Sequence, residues 1–331
     1  MGLLSKVSNY LCSVALAASI YSCKDGKEVH KDVSDSTAIM ITGNGGQWAI
    51  HDAFKNGNEM LEQYFSRSFR IRNFDSQRMA ERQLHDMIKE AARNSKRIII
   101  SYSGHGGLKT IDLADGRTID SMYFPLLNMG GLTMPVKNNT RNNLRIPVRL
   151  VNNARPDREI NPANYQNLVE KLNELGLPET DLNLEYVQLY NPNDGQLFPQ
   201  EIALLLRNFH GDIAFITNSC FSGYVNELVR RDDELDALAI ASSPYNEMSV
   251  FDISGGEPNR GGFYLARALA TYFGLRQRNK PINLAAIDVG NDRFINFSRL
   301  ASLHKLGNSC YNLRDEGFNF QRYSEINDFY F

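Results

Sequence analysis

The stretch KRIIISYSGHGG (96–107) runs from a charged start through Ile98, Ile99 and Ile100 and stops on glycines around a single histidine. A short unbroken apolar run rich in β-branched residues predicts a strand buried on both faces, and the glycines end it. The stretch DIAFITNSC (212–220) repeats the layout and ends on Cys220. Strands of this kind belong to parallel sheets covered by helices.

The segments around them supply the helices and the other strands. TAIMITG (37–43) predicts a first strand, and Trp48 to Phe65 places Phe54, Met60, Leu61 and Tyr64 at helical spacing. FRIRNFD (69–75) predicts a second strand and MAERQLHDMIKEAARN (79–94) an amphipathic helix. After the 96–107 run, PQEIALLLRNF (199–209) predicts a helix, LDALAIASS (235–243) a strand, GGFYLARALATYFG (261–274) a helix and PINLAAIDVG (281–290) a sixth strand. The alternation predicts an α/β domain: a mostly parallel six-stranded sheet with helices on both faces. Ligands in such sheets bind at the carboxyl ends of the strands, where both His105 and Cys220 fall. A cysteine there can be packing alone, but a histidine and a cysteine brought to one sheet edge fit nucleophilic catalysis.

SYSGHGG resembles the histidine motif, and TNSCFSGY the cysteine motif, of the caspase-like cysteine peptidases, the group of caspases, metacaspases, legumains and gingipains. ALAIASSPYNEMSV (237–250) resembles the strand and loop that line the substrate pocket, and GGFYLARAL the helix after it. The resemblance covers roughly 37–106 and 195–290. It implies the caspase-like three-layer sandwich and a cysteine endopeptidase working as a Cys–His dyad without a cofactor. Cys220 would attack the scissile carbonyl and His105 would serve as general acid and base. The backbone N–H groups of Gly106 and Cys220 would hold the oxyanion. Asn218, Ser242 and Ser243 would edge the pocket, with His51 and Asp52 reaching it from the first strand's loop. The partner so implied is a protein or peptide substrate.

Three departures accompany the resemblance. His105 and Cys220 are 115 residues apart, whereas caspases space them by about 50, so an insertion is expected over about 108–194. Where legumains and metacaspases often carry an acid two places before the cysteine, this chain has Asn218, so the resemblance does not carry over a preference for Arg or Lys. No third member of a triad is identifiable. Within the insertion, TIDLADGRTID predicts a hairpin and YQNLVEKLNELG (165–176) a helix. VKNNTRNNLRIPVRLVNNARPDREINP (136–162) reads as a long exposed loop, either a cap or solvated excursion, or a site of maturation cleavage.

The 331 residues carry Lys+Arg 36 against Asp+Glu 38. Near-neutral charge without a basic stripe speaks against nucleic acid as a partner. The spacing of Cys12, Cys23, Cys220 and Cys310 suits neither a zinc knuckle nor a redox pair, and no metal site is expected. His30, His85, His210 and His304 offer no partner spacing. The first 23 residues hold Lys6, an uncharged run and then Ile20-Tyr21-Ser22-Cys23, which resembles the lipobox of bacterial lipoproteins. The expectation is a signal or lipoprotein segment over 1–23, a polar tether over 24–36, and a peptidase domain over 37–331. Cys23 would bear the lipid and attach the protein to a membrane of the cell envelope. The alternative is an uncleaved helix on a cytoplasmic protein.

Two other classes of function compete with the peptidase. A His-Gly-Gly run can belong to an esterase, but the chain has no Gly-x-Ser-x-Gly nucleophile elbow. A catalytically inactive caspase-like fold could serve as a binding or scaffolding module, a reading that the presence of both His105 and Cys220 weighs against.

Overall fold

The computed structural model describes residues 35–46, 48–127, 162–177, 184–249, 251–252, 262–276, 281–287 and 320–331. Its centre is a six-stranded sheet built from β1 (Ser36–Thr42), β2 (Arg70–Asp75), β3 (Arg97–Ser103), β7 (Asp212–Asn218), β8 (Ala237–Ala241) and β11 (Gln321–Ser324), in the order β11-β8-β7-β3-β1-β2. Every pairing is parallel except that of β11 with β8. The apolar runs occupy β1, β3, β7 and β8, flanked on both sides by other strands. That placement is the reason these strands show no polar alternation.

Helices cover both faces. Ile39, Ile41, Ile98, Ile100, Ile213 and Phe215 point to a core shared with α2 (Glu81–Asn94), α5 (Pro199–Leu205) and α6 (Gly223–Arg231). Ala38, Met40, Ile99, Ala214, Ile216 and Ile240 face α1 (Trp48–Phe65) and α7 (Tyr264–Arg276). The sandwich therefore has three layers, and successive residues of each strand serve opposite cores. Starts are locally encoded: Gln83 Oε1 accepts from the Ala80 N–H at 2.8 Å before α2, and Glu201 Oε2 from the Phe198 N–H at 2.7 Å before α5. Among the described residues, no helix is long and apolar enough to cross a membrane.

The sixth strand is not where the sequence placed it. Residues 281–287 form a turn with a 3-10 segment, Leu284–Ala286. Asn283 Oδ1 accepts from the Ala285 N–H at 3.0 Å and from the Phe329 N–H at 2.8 Å. An Asn side chain that bonds nearby backbone in this way competes with a strand ladder. The edge position goes instead to QRYS, antiparallel to β8, held by the aromatic residues that follow it. Phe331 packs on Phe65 and Phe273 at ring separations of 5.1 and 4.7 Å, and Phe329 stacks on Phe69 at 6.1 Å. Fully burying such a ring contributes about 1.5–3 kcal/mol.

The described part of the insertion leaves β3 as a hairpin, β4 (Gly107–Asp112) and β5 (Thr118–Pro125), turning at Asp115-Gly116 as expected. It continues, beyond residues 128–161, with α3 (Pro162–Leu175) and α4 (Leu184–Leu189), and returns through β6 (Gln196–Leu197), which pairs antiparallel with β5. Met122 and Phe124 of β5 are buried in the α2–α5–α6 core, which fixes the hairpin to the main domain. Most of the Asn/Arg-rich loop, the segment with Cys23, and Cys310 lie outside the described residues. Two short strands, β9 (Phe251–Asp252) and β10 (Gly262–Phe263), pair antiparallel before α7.

Candidate active site

β3 and β7 are hydrogen-bonded neighbours, and their register sets Ser103 opposite Asn218. His105 and Cys220 each come two residues after that shared rung. Adjacent strands lie about 4.8 Å apart, so the two chains deliver the imidazole-bearing and thiol-bearing residues to one edge. The Gly104 N–H donates to the Asn218 carbonyl at 3.1 Å and extends the pairing past the strands. A Cβ on Gly106 would stand 2.0 Å from the Cys220 carbonyl oxygen. The His105 and Cys220 loops thus meet through a glycine that no other residue could replace without displacing the cysteine backbone.

Tyr102 anchors the histidine. Its hydroxyl donates to the His105 carbonyl at 2.7 Å, and its ring packs on Phe124 at 4.0 Å between centroids. That hydroxyl would lie 2.3 Å from a Cβ at position 104, which accounts for Gly104. The imidazole sits edge-on to Phe54 at 5.0 Å. Burial lowers the His105 pKa, while a hydrogen bond to the Gly45 backbone pulls it the other way. A carbonyl in that position fixes the ring and stabilises its protonated form. No side chain in the sequence announces it, because the group is backbone.

Cys220 begins a strained strand-to-helix turn. Phe221 has φ of 61°, a left-handed conformation unusual for a bulky residue. The turn is held by the Phe221 N–H on the Glu247 carbonyl at 2.8 Å and the Gly223 N–H on the Ser243 carbonyl at 2.8 Å. Serines fill the space beneath it. Ser242 Oγ donates to the Ser219 carbonyl and accepts from the Ser219 N–H, both at 3.0 Å. Ser243 Oγ donates to the same carbonyl at 3.2 Å, and the Ser243 N–H donates to Ser222 Oγ at 3.0 Å. Ser242 and Ser243 are buried, so in this structure their hydroxyls hold the cysteine turn in shape. Asn218 is 0% exposed, and neither of its side-chain polar atoms has a hydrogen-bond partner among the described residues.

His51 is also buried. One ring nitrogen lies 3.2 Å from the Gly43 carbonyl and the other 3.2 Å from Asp75 Oδ1. It ties the loop after β1 to the end of β2. Asp52 is half-buried on α1. The sequence reading passed over Tyr102 and Gly45, of which Tyr102 has the visible signal, a polar tip at the end of an apolar strand.

Cys220 is 5% exposed, and its thiol donates to the Ser249 carbonyl at 4.0 Å. Burial pushes its pKa up, opposed by backbone hydrogen bonds at Ser249 and at Cys220 itself. Burial therefore favours the neutral form of each, a thiol and an uncharged imidazole. Alkylation of Cys220 by iodoacetamide is accordingly expected to rise about tenfold per pH unit from pH 7 and to be still rising at pH 9. A plateau below pH 8 would show a preformed thiolate.

No protein-family model matches the chain, and no curated protein matches it. Among solved structures, the crystal structure of a protein from Geobacter sulfurreducens has a TM-score of 0.39 and 14% sequence identity, over 75% of this chain and 84% of that one.

Proposed function

We propose that this protein is a caspase-like cysteine endopeptidase in which Cys220 is the nucleophile and His105 the general acid and base. The observation that carries the reading is the register: His105 and Cys220 stand equally far beyond one rung of adjacent parallel strands. The thiol passes its proton to His105 as sulfur bonds to the scissile carbonyl carbon. The carbonyl oxygen takes up the negative charge, facing the N–H groups of Gly106 and Cys220. The imidazolium then gives its proton to the departing amine, leaving a thioester. Water, losing a proton to His105, displaces the sulfur and frees the new carboxylate. The same reading takes proteins or peptides as substrates and places the enzyme at the cell envelope through a lipid on Cys23.

The enclosed thiol favours a second reading, a binding or scaffolding module that does no chemistry. A library of fluorogenic peptides, paired with peptidyl acyloxymethyl ketones, separates the two. The peptidase predicts hydrolysis of at least one sequence class and a mass adduct on Cys220 from the matching ketone. Absence of both across the library would establish the module.

A further inference from the structure

Glu81 and His85 lie one turn apart on α2 and both face inward. Glu81 is 6% exposed, His85 1% and Glu201 0%. One donor atom from each of the three lies within 4.8 Å of the others, and Glu81 Oε1 is 3.9 Å from His85 Nε2. Backbone amides orient the carboxylates: Gly195 N–H donates to Glu81 Oε2 at 2.8 Å, Asn191 N–H to Glu201 Oε1 at 2.8 Å, and Phe198 N–H to Glu201 Oε2 at 2.7 Å. Glu81 Oε1 and both ring nitrogens of His85 have no hydrogen-bond partner among the described residues. Burying these atoms unpaired is costly, and packing alone would be better served by apolar side chains. The unsatisfied groups include Glu81 Oε1 and the lone pair of one His85 ring nitrogen, and one donor atom of each lies close to Glu201.

We propose that Glu81, His85 and Glu201 bind one zinc-class divalent cation that ties α2 to the returning end of the insertion, Asn191 to Glu201. An imidazole with carboxylates suits zinc or its transition-metal neighbours, whereas calcium takes an all-oxygen shell. Bonds of about 2.0–2.2 Å need the three donors to close in by roughly an ångström or less. Water completes the coordination. The amides of Asn191, Gly195 and Phe198 act as the outer partners that hold metal-binding carboxylates in place. Asp194, whose charge is felt by both Glu81 and Glu201, adds to the negative field. Without the cation these groups lean to their neutral forms, with burial driving the Glu81 carboxyl up to about 7 and His85 down to about 4. The ligands sit on α2 and α5, so the role is structural: the brace fixes the segment that leads through α5 into β7 and Cys220.

The test uses the full chain, stripped with a chelator and titrated with Zn2+, and with Co2+ as a coloured substitute. The expected result is one Zn2+ per chain, a higher Tm, and visible d–d bands from cobalt in a low-coordinate site. Glu81→Gln and His85→Gln should each weaken zinc binding about 100-fold or more. X-ray absorption at the zinc edge of the wild type provides a check that does not depend on the variants folding, and should show one imidazole and oxygen neighbours. No uptake by wild type, sulfur in the zinc shell, or equal uptake by well-folded His85→Gln would overturn the site. The last two outcomes would mean adventitious zinc elsewhere, the first a proton shared within the cluster.

Discussion

Cys220→Ala is expected to lower peptide hydrolysis by roughly 10⁴-fold or more while leaving the fold intact. On the proposed peptidase mechanism the size follows from the chemistry, because removing a covalent nucleophile would remove the whole double-displacement route and leave only what binding and oxyanion stabilisation can do for a water. The fold should survive because the thiol contributes little that alanine lacks. It is enclosed, makes one long contact to the Ser249 carbonyl, and sits in a turn held by backbone and serine hydrogen bonds. Loss of one sulfur atom from such a place costs about 1 kcal/mol. Thermal melting and circular dichroism of the variant check the second half of the claim. Survival of hydrolysis in Cys220→Ala, together with its loss in Cys310→Ala, would falsify the assignment.

Strain and burial are concentrated at this turn. Phe221 holds a left-handed backbone conformation, and Asn218 buries an amide that has no hydrogen-bond partner among the described residues. Both are local costs that the surrounding sheet over-determines, a pattern found where geometry serves chemistry. The serine cluster beneath the turn explains how it persists. Four serines, Ser219, Ser222, Ser242 and Ser243, exchange hydrogen bonds between the end of β7 and the end of β8.

Much of this was legible in the residues. The isoleucine run of β3, the apolar run of β7 and the glycines after His105 are strong local signals, since burial on both faces leaves no polar alternation to confuse them. The hairpin at Asp115-Gly116 was equally plain. What failed was non-local. PINLAAIDVG has a strand-like composition, but Asn283 spends its side chain on local backbone, and the edge is taken by QRYS, whose position depends on Phe329 and Phe331 meeting Phe65, Phe69 and Phe273. The contacts to Phe65 and Phe69 join residues more than 200 positions apart, and such contacts have no periodic trace. At the site, the Gly45 backbone that orients His105 carries no side-chain signature at all. His85 was set aside for want of a partner, although Glu81 four residues before it was a visible helical pair; Glu201, the third member, is brought in only by the packing of α5 on α2.

His105→Ala should lower kcat by about 100-fold to 10⁴-fold and leave KM nearly unchanged. Two losses combine. The Cys220 thiol, pushed above its ordinary pKa by burial, is almost wholly protonated at pH 7, so without a base only a small fraction of molecules holds the nucleophile. The departing amine then also lacks an acid to protonate it. On the proposed mechanism the imidazole can do both, because burial favours its neutral form, the one that accepts a proton, while the Gly45 backbone supports its charged form. This gives the variant a distinctive pH profile. Its residual rate should climb with pH through 9, since hydroxide replaces the missing base. The wild-type kcat/KM should climb only through the pKa of His105, below the ordinary 6.5, and then level before the thiol itself ionises. A variant that keeps the wild-type pH profile and loses only affinity would make His105 a binding residue. Tyr102→Phe provides the contrast: it removes the hydroxyl from the His105 carbonyl but keeps the ring on Phe124, so a loss of about tenfold or less in kcat, with the pH profile unmoved, would identify Tyr102 as a positioning residue.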